Sequence, residues 1–403
     1  MQTISDHRHG GGRALTLAFL AAVIEGFDLQ AAGVAAPKLV PAFALTPQQV
    51  GLFFSAATFG LIFGALAGGR IADAWGRRAG LVISLVTFGV FSIATAYAAS
   101  FEQLVAMRFL TGVGLGGALP NLVNIAAESA QPKDRGKAVA IMYAGVPLGG
   151  AIASGVSILG LHGGDWQTIF LVGGVMPLVL APFIHGLLPP LAVVKDQVAS
   201  AGNALAKVFA PGTLMTTVTL WLSFFLGLVV VYLLLNWMPQ LLVSRGLERS
   251  EASTVQILFN IGGVLGSLVG GRMLDRPRPA IPVALCFAAA GAALLMLAML
   301  PANLGLMLLG GALVGGAILC VQAILYGVAP QCYPFEIRGT GVGTAVAVGR
   351  LGSIVGPLLA GGLVAAGFTP SNVMMSLVPI TLAAGLTTVV LLVRRRAAAP
   401  APA

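Results

Sequence analysis

Twelve stretches of this chain are long and apolar enough to cross a bilayer, a constraint that admits few folds. A helix needs about 20 apolar residues to span ~30 Å of hydrocarbon. The windows fall at roughly 14–37, 50–72, 79–99, 102–126, 137–160 and 167–188, then 213–242, 252–273, 279–300, 303–329, 338–366 and 373–393. In hydrocarbon each backbone N–H and C=O must be satisfied within its own segment, so these stretches read as helices. Charge agrees: only 9% of the 403 residues are Asp, Glu, Lys or Arg, against about a quarter in a soluble domain. The expected fold class is therefore an all-α membrane protein with twelve transmembrane helices, which excludes soluble enzymes, secreted disulfide scaffolds and disordered chains. Cys286, Cys320 and Cys332 have no CxxC spacing, so they read as small core residues rather than a disulfide framework or zinc site. Arg8 and Arg13 precede the first apolar run, but Glu25 and Asp28 interrupt it and no small-residue cleavage site follows. The N-terminus reads as a retained first helix, not a signal.

Positive charge orients the helices. With the N-terminus in the cytoplasm, 17 of the 22 Lys and Arg fall on that side, among them Arg70, Arg77, Arg78, Arg135, Arg272 and Arg338; Lys38, Arg245 and Arg249 fall outside, and Arg108 and Arg350 lie within spans. Such asymmetry is what the positive-inside rule demands. It places both termini in the cytoplasm and makes the +9 net charge a topogenic signal, not a nucleic-acid footprint.

The chain also repeats itself. Gly69-Arg-Ile-Ala-Asp73 follows the second span and Gly271-Arg-Met-Leu-Asp275 the eighth, 202 residues later; Arg135-Gly136 and Arg338-Gly339 open the fifth and eleventh, 203 apart. The expected organisation is a six-helix bundle over 1–188, a cytoplasmic linker at 189–212, a second six-helix bundle over 213–393 and a disordered cytoplasmic tail at 394–403. Two parallel six-span repeats with a cavity between them are a transporter architecture.

The residues that carry the repeat resemble a known family. Gly69-Arg-Ile-Ala-Asp73-Ala-Trp-Gly76-Arg77-Arg78 resembles the loop signature of the major facilitator superfamily, and Arg108-x-x-x-Gly112-x-Gly114-x-Gly116 its fourth-helix motif. Glu25-Gly-Phe-Asp28-Leu-Gln30 in the first helix resembles the aromatic acid:proton symporters, which often have two aspartates where this chain has Glu25 and Asp28. The resemblance runs from about 14 to 393 and implies a bacterial inner-membrane symporter, working as a monomer. Its substrate would be an aromatic carboxylate, 3-(3-hydroxyphenyl)propionate or a related hydroxylated acid such as 4-hydroxybenzoate, imported with protons. It also implies a gating role for Asp73, Arg77 and Arg78, with Arg77 paired to Glu128 in the outward-facing state; Arg272 and Asp275, with Arg135 and Arg338 opening the fifth and eleventh spans, extend that set.

Read from the residues alone, charge inside the spans is the chemistry-bearing feature. Glu25, Asp28, Arg108 and Arg350 each cost about 2.5–3.5 kcal/mol at a helix centre, so they are expected to find partners and face a cavity. Glu25 and Asp28 are three apart and share a helix face. Asp28 lies ~13 Å and Arg108 ~10 Å from the same membrane side at 1.5 Å per residue, so a contact is expected. Two crowded carboxylates favour the protonated form and Arg108 opposes it, so Glu25, Asp28 and Arg108 are the expected proton-coupling group. The alternative is a set of static ion pairs that hold the helices together. Arg350, near the midplane, is expected to take a substrate carboxylate in a bidentate pair. Gln30, Asn121, Tyr143, Asn236, Gln322 and Tyr326 are the polar or aromatic span positions expected to complete the substrate site, with Phe27, Tyr232 and Trp237 as further such positions; Trp237 and Tyr97 also read as interface anchors.

Gly145-Val-Pro147-Leu-Gly149-Gly150 on the fifth span reads as a close-packing element, although it partly resembles a motif of drug:proton antiporters. No Gly-Lys-Ser/Thr phosphate loop exists, which argues against ATP-driven transport. No nucleophile–base or metal-ligand spacing is found either, so neither catalysis nor a cofactor is expected. Two other readings stay open at this point. One is a drug:proton antiporter, which would rather lack Arg350. The other is a transporter-like aromatic-acid receptor, which would rather carry a cytoplasmic output domain than loops of about 24 residues at most.

Overall fold

A computed structural model describes residues 4–131, 134–159, 166–188, 201–273, 279–334 and 337–398. Within these, the side chains of residues 4–10, 69, 72, 73, 77, 119, 120, 124, 136, 201–204, 271 and 395–398 lie outside the description. The chain divides into two compact units, Met1–Lys195 and Asp196–Ala403.

The first unit holds α1 (Ile4–Ala42), α2 (Pro47–Trp75), α3 (Arg77–Ala96), α4 (Phe101–Glu128), α5 (Arg135–Leu159) and α6 (Gln167–Leu187). The second holds a short α7 (Ala201–Val208), then α8 (Leu214–Val243), α9 (Arg249–Met273), α10 (Ala280–Met299), α11 (Leu304–Val328), α12 (Arg338–Ala365) and α13 (Pro370–Ala398). All but α7 are long and apolar enough to cross a membrane, twelve in all among the described residues. The expected windows and these helices agree to within a few residues, except that α1 begins at Ile4, the stretch read as linker contains α7, and α13 runs on to Ala398, into the stretch expected as a disordered tail.

Short polar signals start several helices. Thr46 accepts from the Gln49 N–H while the Gln49 side chain accepts from the Thr46 N–H, a reciprocal cap followed by Pro47. Ser100 caps α4 by accepting from the Gln103 N–H, and Asn303 caps α11 by accepting from the Leu306 N–H. Between α2 and α3 the chain turns at Gly76, with φ +87° and ψ 155°. That region of backbone space is essentially closed to side-chain-bearing residues, which explains glycine in the middle of the loop signature.

Glycine sets the helix spacing within each unit. A Cβ at Gly60 or Gly64 of α2 would collide with the carbonyl oxygen of Phe109 or Val113 on α4, and one at Gly112 with that of Ala57. The second unit repeats this seam: Gly262 and Gly266 of α9 lie against the carbonyl oxygens of Ala312 and Gly316 on α11, and Gly315 against that of Phe259. Likewise α1 meets α5 at Gly26 and Gly149, and α8 meets α12 at Gly352 and Gly356. Lipid tails are as apolar as Leu, so helices gain little from hydrophobicity here; close backbone contact through small residues supplies the attraction instead. Gly145 and Gly149 thus have the packing role expected of them. Around these seams the first unit packs a core including Leu85, Phe88, Leu115, Leu122, Met142 and Ile184.

Gly149→Val drives a side chain into the Val23 carbonyl, with the Phe27 nitrogen only 2.6 Å from the new Cβ, whereas Gly155 has nothing within 4 Å. Thermal melting of the detergent-solubilised protein should show Gly149→Val destabilised by at least about 2 kcal/mol. Gly155→Val should melt as the parent does.

Candidate functional site

The polar centre of the first unit is built on α1. Glu25 and Asp28 lie on one face of the helix, 3% and 0% exposed, and Arg108 of α4, 2% exposed, reaches Asp28. Arg108 Nη1 donates to Asp28 Oδ1 at 2.8 Å and to Oδ2 at 3.1 Å, while Nη2 donates to the Asp28 carbonyl oxygen at 3.4 Å. The contact expected from matching depths is therefore made, and it lies out of contact with water. The Arg108 Cζ also sits 5.5 Å from the centroid of the Phe170 ring on α6, in reach of a cation–π attraction. Phe170 is held edge-on against Phe53 and Trp166, and its carbonyl accepts from Ser92 Oγ at 3.1 Å. The guanidinium is thus clamped from two sides. Its Nε has no hydrogen-bond partner among the described residues.

Of the other first-unit candidates, Gln30 is 2% exposed, with its amide filling the space in front of Gly150. Asn121 is buried and donates to the Gly117 carbonyl of its own helix at 2.9 Å, and Tyr143 packs against the apolar core.

In the second unit Arg350 of α12 donates from Nη1 to the Tyr232 hydroxyl oxygen of α8 at 2.7 Å. Because that oxygen accepts from the guanidinium, its own proton points elsewhere, and Tyr232, 5% exposed, donates it to no described residue. The arrangement leaves a positive charge and a hydroxyl donor side by side, a combination suited to a carboxylate. Asn236 donates to the Tyr232 carbonyl at 2.8 Å. Tyr326 of α11 meets the Phe224 ring edge-on at 5.3 Å. Gln322, also on α11, has both polar atoms of its amide buried and without a partner among the described residues.

Trp237 is not an interface anchor. It is 2% exposed, and its indole N–H donates to the Pro357 carbonyl at 3.0 Å, so the polar edge is satisfied by α12 instead of lipid headgroups. Tyr97, by contrast, is 75% exposed. Cys286 and Cys320 are buried as expected, whereas Cys332 is only half-buried.

Of the expected gating residues, the Asp73 and Arg77 side chains and all of Asp275 lie outside the described residues. Arg78 donates to the Leu188 carbonyl at 3.3 Å, where it complements the C-terminal end of α6. Glu128, Arg135, Arg272 and Arg338 are exposed at helix ends. Phe170 and the Tyr232–Arg350 bond escaped the sequence reading. Nothing marks Phe170 in sequence. Tyr232, however, lies 202 residues after Gln30, at the same place in the repeat.

The chain matches the Major Facilitator Superfamily over residues 18–357 and again over 244–403. The chain belongs to the Major Facilitator Superfamily. It is 46% identical to the 3-(3-hydroxyphenyl)propionate transporter of Escherichia coli (strain K12), over 94% of this chain and 93% of that protein. It is 34% identical to the gallate transporter of Pseudomonas putida, over 88% and 85%. Among solved structures a D-xylose–proton symporter superposes with a TM-score of 0.74 over 96% of this chain and 98% of that one; at 18% identity this shows the fold alone. Membership makes the chain a multi-pass membrane transport protein and not an enzyme.

Removing one partner of a buried pair costs about 3–5 kcal/mol, because the other charge is left unmatched. Asp28→Asn and Arg108→Gln should each lower the melting temperature, and the double variant should recover most of the loss. Thermal melts of the three variants check this.

Proposed function

We propose that the chain is a proton-coupled symporter that brings an aromatic carboxylate across the bacterial inner membrane, working as a monomer with both termini in the cytoplasm. The observation that carries the coupling is the buried Asp28–Arg108 pair. A proton on Asp28 removes the charge that matches Arg108. The guanidinium then sits uncompensated in an apolar bundle, a change large enough to bias one helix packing against another. Glu25, buried three residues away on the same face, supplies a second carboxylate through which the proton is shared.

Substrate class rests on the relatives and on the second unit. Both curated relatives are named for transporting hydroxylated aromatic carboxylates, and Arg350 with the Tyr232 hydroxyl offers the donors an anion needs. The favoured substrate is 3-(3-hydroxyphenyl)propionate or a close hydroxylated analogue such as 4-hydroxybenzoate. Gln30, Asn121, Tyr143, Asn236, Gln322 and Tyr326 are proposed to shape the space for the ring. Asp73, Arg77, Arg78, Glu128, Arg135, Arg272, Asp275 and Arg338 are proposed as the cytoplasmic gate.

Uptake of labelled 3-(3-hydroxyphenyl)propionate into energised vesicles tests the reading. The parent should accumulate it, and a protonophore should abolish accumulation. Asp28→Asn should lose accumulation under the same gradient, and wild-type uptake by that variant would remove Asp28 from the coupling. Arg350→Ala should raise the KM for uptake at least about tenfold, the loss of a charge-assisted hydrogen bond. An unchanged KM would place the carboxylate elsewhere.

A further inference from the structure

In hydrocarbon a primary amide pays for every hydrogen bond it fails to make, about 1–3 kcal/mol for a buried group left unsatisfied. Among the described residues, Gln322 is the side chain with both ends in that position: Nε2 and Oε1 are each buried and each without a partner. Leucine or methionine there would avoid the cost entirely. An amide with a free acceptor at one end and free donors at the other has the complement of a hydroxyl group, which offers one proton and accepts another.

The surroundings are close-packed against α8. A Cβ at Gly227 of α8 would stand 2.7 Å from Leu325 Cδ1 and 3.9 Å from Gln322 Oε1, so glycine there makes way for the side chains of α11. Tyr326, four residues on and on the same face of α11, meets α8 at Phe224. Tyr232, which holds Arg350, lies five residues after Gly227 on the same helix, an axial separation of ~7.5 Å at 1.5 Å per residue. In depth, too, the two groups are close. Gln322 lies ~13 Å from the Gln331 end of its span and Arg350 ~18 Å from the Arg338 end of its own, on the same side of the membrane. A ring hydroxyl and a carboxylate joined through an aromatic ring and a short chain call for two such anchors, a neutral amide and a charge.

We infer that Gln322 reads the ring hydroxyl of the substrate, and so sets the preference for hydroxylated over unsubstituted aromatic acids. This rests on the proposed transport of aromatic carboxylates and adds to it the residue that selects among them. A site that hydrogen-bonds a hydroxyl discriminates against the analogue lacking it, because its polar groups are then left unpaired.

The experiment is competition for uptake by 3-(3-hydroxyphenyl)propionate and 3-phenylpropionate, which differ by that hydroxyl alone, in vesicles carrying the parent, Gln322→Met or Gln322→Leu. The parent should prefer the hydroxylated acid about tenfold or more, the value of one to two hydrogen bonds. In Gln322→Met the ratio should fall toward one, chiefly through weaker binding of the hydroxylated acid. Melting of the Gln322→Met protein should be unchanged or raised, since an unpaired amide has been removed; a lowered melting temperature would assign Gln322 a structural role and overturn the inference. A parent without preference, or a variant that loses both acids equally, would also overturn it. Gln322→Leu repeats the reading with a different shape. Arg350→Ala, run alongside, separates the two levels. Normal handling of both acids by Arg350→Ala defeats the carboxylate anchor of the proposed function, whereas an impaired Arg350→Ala with an unchanged ratio in Gln322→Met defeats only the role of Gln322.

Discussion

A charge inside a helical membrane bundle must be matched, and in the first unit Arg108 meets that requirement on Asp28. The rest of the local structure follows from it. Gly26, between the two acidic residues of α1, lets the Val146 carbonyl of α5 come close. Phe170 closes the far face of the guanidinium and is itself pinned by Phe53 and Trp166. A contact this completely desolvated contributes little net stability compared with an apolar pair of equal size, yet is costly to break halfway. That asymmetry suits a switch better than a brace.

The two units share a scaffold and differ in chemistry. The stripe Gly60, Gly64, Gly68 in α2 reappears 202 residues later as Gly262, Gly266, Gly270 in α9, and both stripes pack backbone against backbone. The charged pair does not reappear: the positions 202 after Asp28 and Arg108 are Val230 and Gly310. The second unit instead carries Arg350 with a hydroxyl partner. Duplication thus conserved the helix seams and left the polar positions to diverge, with an acid–base pair in one unit and an anion-type donor set in the other.

Most of the fold was legible in the sequence because hydrocarbon thickness imposes a length that composition cannot hide. Depth was legible too, since a rise of 1.5 Å per residue puts Asp28 and Arg108 at one level by residue count alone. Rotation about the helix axis was not. Trp237 read as an anchor because it lies near a span end, but it turns inward to the Pro357 carbonyl. The Tyr232–Arg350 bond and the burial of both Gln322 amide atoms depend on which way three helices face, and hydropathy carries no such information where nearly every neighbour is apolar. The glycine stripes were available at the repeat offset.

The central claim is that a proton taken up at the Asp28–Arg108 pair is linked to substrate binding. Adding 3-(3-hydroxyphenyl)propionate to weakly buffered, detergent-solubilised protein and recording the pH measures that linkage directly, without transport. The account predicts proton uptake by the parent on binding and none by Asp28→Asn at saturating substrate. Equal proton uptake by the two proteins would contradict it.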